Sequence, residues 1–266
     1  MTDLVLEERQ GAVVTLTLNM PELRNPISDP EMIEALEAAL RRHDADIETR
    51  ALVLTGAGPG FSSGGNLKKM GEEGGLNAKL PAETRRNYRY GIQRLPLLFE
   101  ALEVPVVAAV NGAAIGAGCD LTCMCDLRIA GESAVFAESF VKLGIVPGDG
   151  GAWLLPRVVG FSKACEMALT GDRLSAAEAL ACGLVSRVVP DAELLGEARA
   201  LAARIAANPP HAVRMTKRLL REASQANLKT VLELSAAMQA LNHATADHNE
   251  AVAALLEKRR PAFKGE

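Results

Sequence analysis

The sequence predicts an α/β fold that ends in a helical tail. Short apolar runs rich in valine alternate with amphipathic segments up to about residue 190, and only helical patterns follow. Alternation of strands with helices is typical of an α/β core. A chain of 266 residues is long enough to bury one large core and carry an appendage. We therefore expect a core over residues 1–190 and a helical region over residues 191–266.

The elements before residue 100 follow from periodicity and from capping residues. Residues 4–9 and 12–18 are predicted to form a strand pair, because apolar and polar side chains alternate on either side of Gln10-Gly11. Asp29-Pro30 combines a preferred N-cap residue with proline at the first helical position, which favours a helix to about residue 43. The other predictions are a buried strand at 51–55, a glycine- and serine-rich loop at 56–65, an irregular polar stretch at 71–81 and a helix at 82–102.

The later elements are organised around the stretch from Pro105 to Gly151. A continuous apolar run ends at Val110 and is typical of a buried strand. A helix is predicted from about Gly116 to Cys125. The remaining predictions are short strands at 127–130, 134–137 and 185–189, a helix containing Trp153, a capping box at 175–178, and helices at 191–207, 210–223 and 228–258.

Composition narrows the class of protein. The chain is 48% apolar and 23% charged, as in soluble globular proteins, and its apolar runs are too short for a membrane span. A net charge of −4 without a basic block, together with 3% aromatic residues, disfavours nucleic-acid binding. The early charges at the N-terminus disfavour a signal peptide, and five cysteines lie in apolar segments. We therefore expect a reduced, cytoplasmic protein.

The turn before Asp120 has the features of a site that holds a developing negative charge. Small residues from Gly116 onward let a ligand approach the main chain. The first N–H groups of a helix lack intrahelical partners and attract anions. Asp120 follows Ala117 by three residues, so both share a helix face. A donor for an oxyanion beside a carboxylate suits acid–base chemistry next to a carbonyl.

Two glycine-rich segments also suggest motifs that their context disfavours. Gly60-Phe-Ser-Ser-Gly64 matches the G-x-S-x-G pattern of serine hydrolases, but a long loop separates it from the preceding strand. Gly116-Ala-Gly118 would need a further glycine at position 121, where leucine stands, to match a dinucleotide-binding motif.

Cys119, Cys123 and Cys125 have no nearby histidine, so buried small residues are favoured over a metal site.

Three acids are candidates for proton transfer, and each has a structural alternative. Asp120 stands on an otherwise apolar helix, where an unpaired carboxylate is costly, so we expect it to be functional. Asp149 precedes a predicted helix and is either an N-cap or a catalytic group. Glu138 lies in an apolar strand and is either a strand-end surface residue or part of the site. Asp120 is our first choice as the base, and Asp149 the second.

Several motifs together resemble the crotonase family, also called the enoyl-CoA hydratase/isomerase superfamily. They are Phe61-Ser-Ser-Gly-Gly-Asn-Leu67, Pro105-Val-Val-Ala-Ala-Val-Asn-Gly112, Gly116-Ala-Gly-Cys-Asp-Leu121, Cys125-Asp-Leu-Arg-Ile-Ala130, Gly144-Ile-Val-Pro-Gly-Asp-Gly-Gly151, Leu169-Thr-Gly-Asp-Arg-Leu174 and Gly183-Leu-Val185. The resemblance implies a crotonase-like spiral of β-β-α repeats and a helical C-terminal trimerisation region, often in a dimer of trimers. It also implies an acyl-CoA substrate and no metal or redox cofactor.

The resemblance also implies roles for particular residues. The N–H groups of Gly65 and Ala117 resemble the oxyanion hole that holds the thioester oxygen. The residues expected to contact CoA or the acyl group are Leu23, Arg24, Asn25, Ser63, Gly65, Asn66, Leu67, Gly116, Phe140 and Lys264. The basic tail around Lys264 suits CoA phosphates, although a solvated face is an equally good interpretation.

The sequence departs from the family's hydratases at one of two catalytic positions. Hydratases carry two glutamates there, whereas this chain has Asp120 at the first position and Phe140 at the second. Some isomerases and dehalogenases of the family carry an aspartate in the turn of Asp149. The dehalogenases also use a histidine on the helix that corresponds to residues 82–102, which has none here, so dehalogenation is disfavoured.

Three functions remain open at the level of sequence. The first is an acyl-CoA lyase or isomerase that works through a thioester enolate, with enoyl-CoA hydration as the default. The second is a double-bond isomerase that uses Asp149 or Asp120. The third is a non-catalytic acyl-CoA-binding subunit, suggested by Phe140. An RNA-binding branch of the family is disfavoured by the acidic charge balance, and the sequence does not identify the acyl chain.

Overall fold

The strands of the computed structural model, which describes residues 3–70 and 75–266, form two sheets. Their bounds are β1 Val5–Gln10, β2 Val13–Leu18, β3 Ala51–Gly56, β4 Gly60–Ser62, β5 Val106–Val110, β6 Ala113–Ile115, β7 Leu127–Gly131, β8 Val135–Ala137, β9 Leu174–Ser175 and β10 Arg187–Val189. A six-stranded sheet has the order β1-β2-β3-β5-β7-β10, and a four-stranded sheet has the order β4-β6-β8-β9. The predicted N-terminal strand pair is confirmed as the antiparallel pair β1–β2.

The helices agree with the predictions except at two interruptions and at Phe161–Thr170, for which no helix is predicted. Their bounds are α1 Pro30–Ala45, α2 Pro81–Tyr90, α3 Arg94–Ala101, α4 Ala117–Met124, α5 Gly151–Val159, α6 Phe161–Thr170, α7 Ala176–Ala181, α8 Leu194–Ala206, α9 Pro210–Ala223, α10 Leu228–His243 and α11 Ala246–Glu257. The predicted helix 82–102 is broken at Gly91 into α2 and α3. The predicted helix 228–258 is broken into α10 and α11, where Thr245 caps the second helix by accepting the N–H of His248. The capping box of Ser175 and Glu178 is confirmed. Part of the irregular stretch predicted at 71–81 lies outside the described residues.

Three strands of the four-stranded sheet, β4, β6 and β9, are not predicted from the sequence, whereas β8 agrees with the strand predicted at 134–137. β4 and β6 are three residues each, too short to show alternation, and β4 lies inside the segment predicted to be a loop. A Cβ atom at Gly112 would overlap the carbonyl oxygen of Pro59, so glycine is needed where the chain turns from β5 into β6. Strands this short, built of small residues, show no repeat of apolar side chains from which they could be predicted.

The repeat of two strands and a helix produces the predicted spiral. β3 and β4 are followed by α2 and α3, β5 and β6 by α4, and β7 and β8 by α5. In each repeat the first strand joins the larger sheet and the second joins the smaller one. Because β4, β6 and β8 pair in parallel, their carboxyl ends meet at one edge. The segments that carry the candidate site residues leave the sheet there.

The C-terminal helices attach to the sheets in two ways. α8 packs on one face of the larger sheet, where Ala198, Ala202 and Ala206 recur every four residues in a buried apolar cluster. α9 is attached by cations instead. Arg214 donates to the carbonyl of Thr49 at 3.1 Å, and Lys217 donates to the carbonyl of Val104 at 2.7 Å. The domain boundary between residues 190 and 191 stays a prediction.

Candidate active site

A cavity of about 160 Å³ opens at the carboxyl ends of β4, β6 and β8. Its lining residues are Ser28, Ser63, Gly65, Leu67, Met70, Leu76, Tyr88, Ile92, Ile115, Gly116, Ala117, Ser139, Phe140, Lys142, Leu143, Ile145 and Asp149. We call it the central cavity. Most of its wall is apolar, with a few polar groups at one end, which is the usual composition of a small-molecule site.

The two predicted oxyanion donors lie in segments that touch through their main chains. Gly65 and Ala117 both line the central cavity. Gly64 has φ +78, and a Cβ atom built on it would lie 2.9 Å from the amide nitrogen of Ala117. Such a Cβ would force the two segments apart, so glycine is needed at this position. Ala117 is the first residue of α4, and its N–H therefore has no partner within the helix.

The loop around Asn25 is fastened beside the oxyanion segment. The Asn25 side chain is fully buried and donates to the carbonyls of Ala57 and Gly60, both at 2.9 Å. The N–H of Ser63 donates to the carbonyl of Arg24 at 2.7 Å, which places Arg24 next to a residue of the cavity wall. Asn25 therefore holds the loop in place through main-chain contacts, and its side chain does not line the cavity.

Asp149 is the acid that reaches the cavity. It lines the wall, whereas Asp120 and Glu138 are absent from it. All three carboxyl groups are buried, with at most 1% of each residue exposed. None of their six oxygens accepts a hydrogen bond from an N–H or hydroxyl donor in the described part of the chain. Asp120 therefore lies outside the wall of the central cavity, and its expected role as the base stays a prediction.

Burial raises the pKa of every acid in this group. Burial raises the pKa of Asp120 well above its ordinary value, and the nearby charges of Asp149 and Glu138 raise it further. Burial also raises the pKa of Glu138 to about 7 and raises the pKa of Asp149. The pKa of the Tyr88 phenol is raised by burial and by the charge of Asp149. Carboxyl groups with raised pKa values inside a cleft are typical of proton-transfer sites.

Helices α2 and α3 hold the turn that carries Asp149. The Gln93 side chain donates to the carbonyl of Gly148 at 2.6 Å. A Cβ atom on Gly148 would lie 2.8 Å from Cε1 of Tyr88, so the ring packs directly on the turn. The N-cap of α5 is Gly150, so the interpretation of Asp149 as the helix cap is wrong. Sequence reasoning missed Gln93, because nothing in its local pattern indicates a contact with a turn 55 residues away.

Gly116 and Phe140 meet at the cavity wall. Gly116 has φ +53, and a Cβ atom there would lie 3.6 Å from Cζ of Phe140. Phe140 belongs to a short 3-10 helix, Ser139–Leu143, that follows β8. An aromatic ring therefore occupies the wall at the position where the resemblance implies a glutamate in the hydratases.

Seven of the sequence-predicted site residues are brought together in the cavity wall, and seven are not. Those in the wall are Ser63, Gly65, Leu67, Gly116, Ala117, Phe140 and Asp149. Those outside it are Leu23, Arg24, Asn25, Asn66, Asp120, Glu138 and Lys264. Asn66 pairs with Asp29, and Lys264 donates its main-chain N–H to Asp247 of α11 at 2.7 Å. Tyr88, Ile92 and Ile145 line the wall without having been assigned to it from the sequence.

Comparison with known proteins agrees with this fold. The model of the enoyl-CoA hydratase/isomerase family matches residues 8–266. The chain is 39% identical to 1,2-epoxyphenylacetyl-CoA isomerase of Escherichia coli, with all of both chains covered. It is 37% identical to 2,3-dehydroadipyl-CoA hydratase of the same organism, again over the whole of both. The structure of an enoyl-CoA hydratase from Bacillus anthracis superposes with a TM-score of 0.92 at 35% identity, covering 99% of this chain and 100% of that one.

The matched proteins are enzymes named for acyl-CoA substrates, and the matched structure has the spiral fold described above. The chain belongs to the enoyl-CoA hydratase/isomerase family, and the resemblance stated from its motifs is confirmed. Among the described residues, no helix combines the length and apolar composition that a membrane span needs. No group of three or more His, Cys, Asp and Glu side chains in residues 3–70 and 75–266 is arranged to hold a metal ion.

Proposed function

We propose that this protein isomerises an acyl-CoA thioester through an enolate, with Asp149 moving the proton. One observation carries the proposal: among the described residues, Asp149 is the acidic side chain that shares the cavity wall with Gly65 and Ala117. An acid and two main-chain N–H groups around one cavity are the parts that proton abstraction next to a carbonyl requires.

The proposed reaction uses one base twice. Ionised Asp149 removes a proton from the saturated carbon next to the thioester carbonyl. The C–H electron pair forms a C=C bond to the carbonyl carbon, and the C=O electron pair moves to the carbonyl oxygen. The N–H groups of Gly65 and Ala117 hold the negative charge that develops there, so they stabilise the transition state more than the ground state. Protonated Asp149 then delivers a proton at another carbon, and its acidic proton exchanges in part with solvent between the two transfers. No water is added, and no redox change occurs.

The environment of Asp149 suits this role. Burial raises the pKa of Asp149 above its ordinary value, which makes its carboxylate a stronger base than that of an exposed aspartate. The cavity wall beyond it is apolar, with Leu143 and Ile145 among the lining residues. This wall favours an apolar acyl group over a charged one.

Phe140 is the reason to prefer isomerisation over hydration. Hydration by the mechanism of the family's hydratases places a water between two carboxyl groups. Here the ring of Phe140 takes the second position and can neither donate nor accept a proton. The isomerase relative, which is 39% identical over the full chain, supports the same preference.

The proposal is tested by following an unsaturated acyl-CoA in deuterated water by mass spectrometry and NMR. We expect the double bond to move and deuterium to enter the acyl chain without addition of water. Asp149→Asn is expected to lower the rate by roughly two to four powers of ten, whereas Glu222→Gln, at an exposed position of α9, serves as the matched control and keeps the wild-type rate. A product heavier by one water would support hydration instead. Binding without deuterium uptake would support the non-catalytic alternative.

A further inference from the structure

Three carboxyl groups from three different elements meet behind the central cavity. Asp120 lies on α4, Glu138 follows β8 and Asp149 precedes α5. Asp120 is fully buried, and the other two are 1% exposed. The Asp120 carboxyl lies within hydrogen-bonding reach of both Glu138 and Asp149. We call these residues the acid cluster.

The surroundings of the acid cluster supply little positive charge. No Lys, Arg or His in the described part of the chain forms an ion pair with any of the three acids. The titratable groups that face them are Cys119 and Cys123 of α4 and Tyr88 of α2, and Arg128 of β7 acts on Cys123. Three uncompensated negative charges in a buried site are too costly to coexist. At least one proton therefore stays in the cluster.

Asp120 is the member best placed to keep that proton. It stands between the other two acids, and α5 closes over it: a Cβ atom on Gly151 would overlap both of its carboxyl oxygens. It does not line the cavity, so it acts on a substrate only through Asp149. None of the six carboxyl oxygens of the acid cluster has a hydrogen-bond partner of ordinary geometry among the residues that the structure describes. The Cys119 thiol faces Glu138 and the main-chain N–H of Asp149 faces its own carboxyl group, and an O–H on Asp120 adds a side-chain donor for Asp149.

We propose that Asp120 is a positioning residue that stays protonated and donates its O–H to Asp149, with Glu138 as the alternative acceptor. The bond holds the carboxylate of Asp149 toward the cavity and favours its ionised form. This inference rests on the proposed role of Asp149 as the base. It assigns Asp120 a role as a neutral donor, instead of the base expected from its helix position.

The directions of the pKa shifts agree with that assignment. Burial raises the pKa of Asp149 and Glu138, and their hydrogen bonds with Asp120 oppose the rise. Burial also raises the pKa of Asp120, and there the same two bonds add to the rise. These directions are consistent with a proton shared among the three carboxyl groups, and the enclosure of Asp120 under Gly151, away from the cavity wall, assigns that proton to Asp120.

Two variants, Asp120→Asn and Asp120→Leu, distinguish a hydrogen-bond donor at position 120 from a base that transfers protons. Asp120→Asn keeps an N–H donor of similar size, so we expect α-proton exchange within about threefold of wild type. Asp120→Leu removes the donor. We expect it to lower the rate roughly ten- to hundredfold and to shift the acidic limb of the pH–rate profile upward by about one to two pH units, because Asp149 loses a hydrogen bond to its charged form.

The exchange experiment compares wild type, Asp120→Asn, Asp120→Leu and Asp149→Asn with one acyl-CoA over a range of pH. Equal losses in Asp120→Asn and Asp120→Leu, with Asp149→Asn inactive, would overturn the positioning role and leave the proposed function intact. A wild-type pH profile in Asp120→Leu would overturn it as well. Wild-type exchange in Asp149→Asn would instead overturn the proposed function.

Infrared spectroscopy gives a second measurement that does not depend on turnover or on the folding of Asp120→Leu. At about pH 9, above the pKa of Glu138, the wild-type protein is expected to show the C=O band of a protonated carboxylic acid. The band should disappear in Asp120→Asn and remain in Glu138→Gln. Absence of the band from wild type, or its survival in Asp120→Asn, would show that the proton is not on Asp120.

Discussion

The carboxyl group of Asp120 occupies the space in which a Cβ atom of Gly151 would lie. The first residue of α5 therefore covers a buried acid two positions after Asp149 enters the cavity wall. Any side chain at position 151 must displace either the helix or the carboxyl group. The position of the Asp120 carboxyl group in the acid cluster thus depends on the absence of a side chain at Gly151.

Gly151→Ala is expected to destabilise the protein by about 1–3 kcal/mol, the usual cost of overpacking a buried site. It should also lower turnover, because α5 and Asp149 move together. Urea unfolding and a steady-state assay measure the two effects. Gly196→Ala in α8 is the matched control: a Cβ atom there meets no atom within 4 Å, and alanine in an open helical site stabilises by about 0.5–1 kcal/mol. Equal stability changes in the two variants would contradict the packing seen at Gly151.

Glu138→Gln is expected to stabilise the protein above neutral pH. Burial raises the pKa of Glu138 from 4.5 to about 7, so its contribution to folding is fully present below pH 4.5 and is lost as the pH rises through about 7. Glutamine does not titrate. The variant should match wild type near pH 4.5 and exceed it by up to about 3 kcal/mol at pH 8. Urea unfolding at both pH values measures this, and a pH-independent difference would contradict it.

Gln93→Met is expected to lower turnover more than stability. Methionine keeps the volume of the side chain but leaves the carbonyl of Gly148 without the 2.6 Å hydrogen bond from Gln93. The loss of one such bond costs about 1 kcal/mol of stability. The turn that carries Asp149 becomes less ordered, and kcat should fall roughly tenfold because proton transfer depends on orientation. Gln225→Met, at an exposed site, is the control. Wild-type kcat in Gln93→Met would show that the turn is held without this bond.

The predicted homotrimer or dimer of trimers is tested through α10 and α11. Leu232, Leu241 and Leu255 are between 59% and 80% exposed in the single chain, more apolar surface than an isolated helical tail usually presents. Light scattering should report a trimer or a hexamer at micromolar concentration. Replacing Leu241 and Leu255 by aspartate should shift it toward the monomer. A stable wild-type monomer would contradict the prediction.

Sequence reasoning succeeded where the physical cause is local. Apolar periodicity and capping residues located the long strands and most of the helices, and the family resemblance of the motifs pointed to Gly65 and Ala117, which both line the central cavity. It failed for contacts that depend on how distant turns of the spiral stack. The depth of Asp120 behind Asp149 is set by α5, and the support of the Asp149 turn by Gln93 spans 55 residues. No local pattern encodes either relation.

The backbone contact between the Gly64 segment and the start of α4 has a consequence for how the substrate range of this fold can change. The groups that would hold the thioester oxygen are main-chain N–H groups, so substitutions elsewhere leave their chemistry untouched. The acyl wall, in contrast, is made of replaceable side chains such as Leu143 and Ile145. Substrate preference can therefore drift through the wall residues while the main-chain groups proposed to hold the thioester oxygen stay the same.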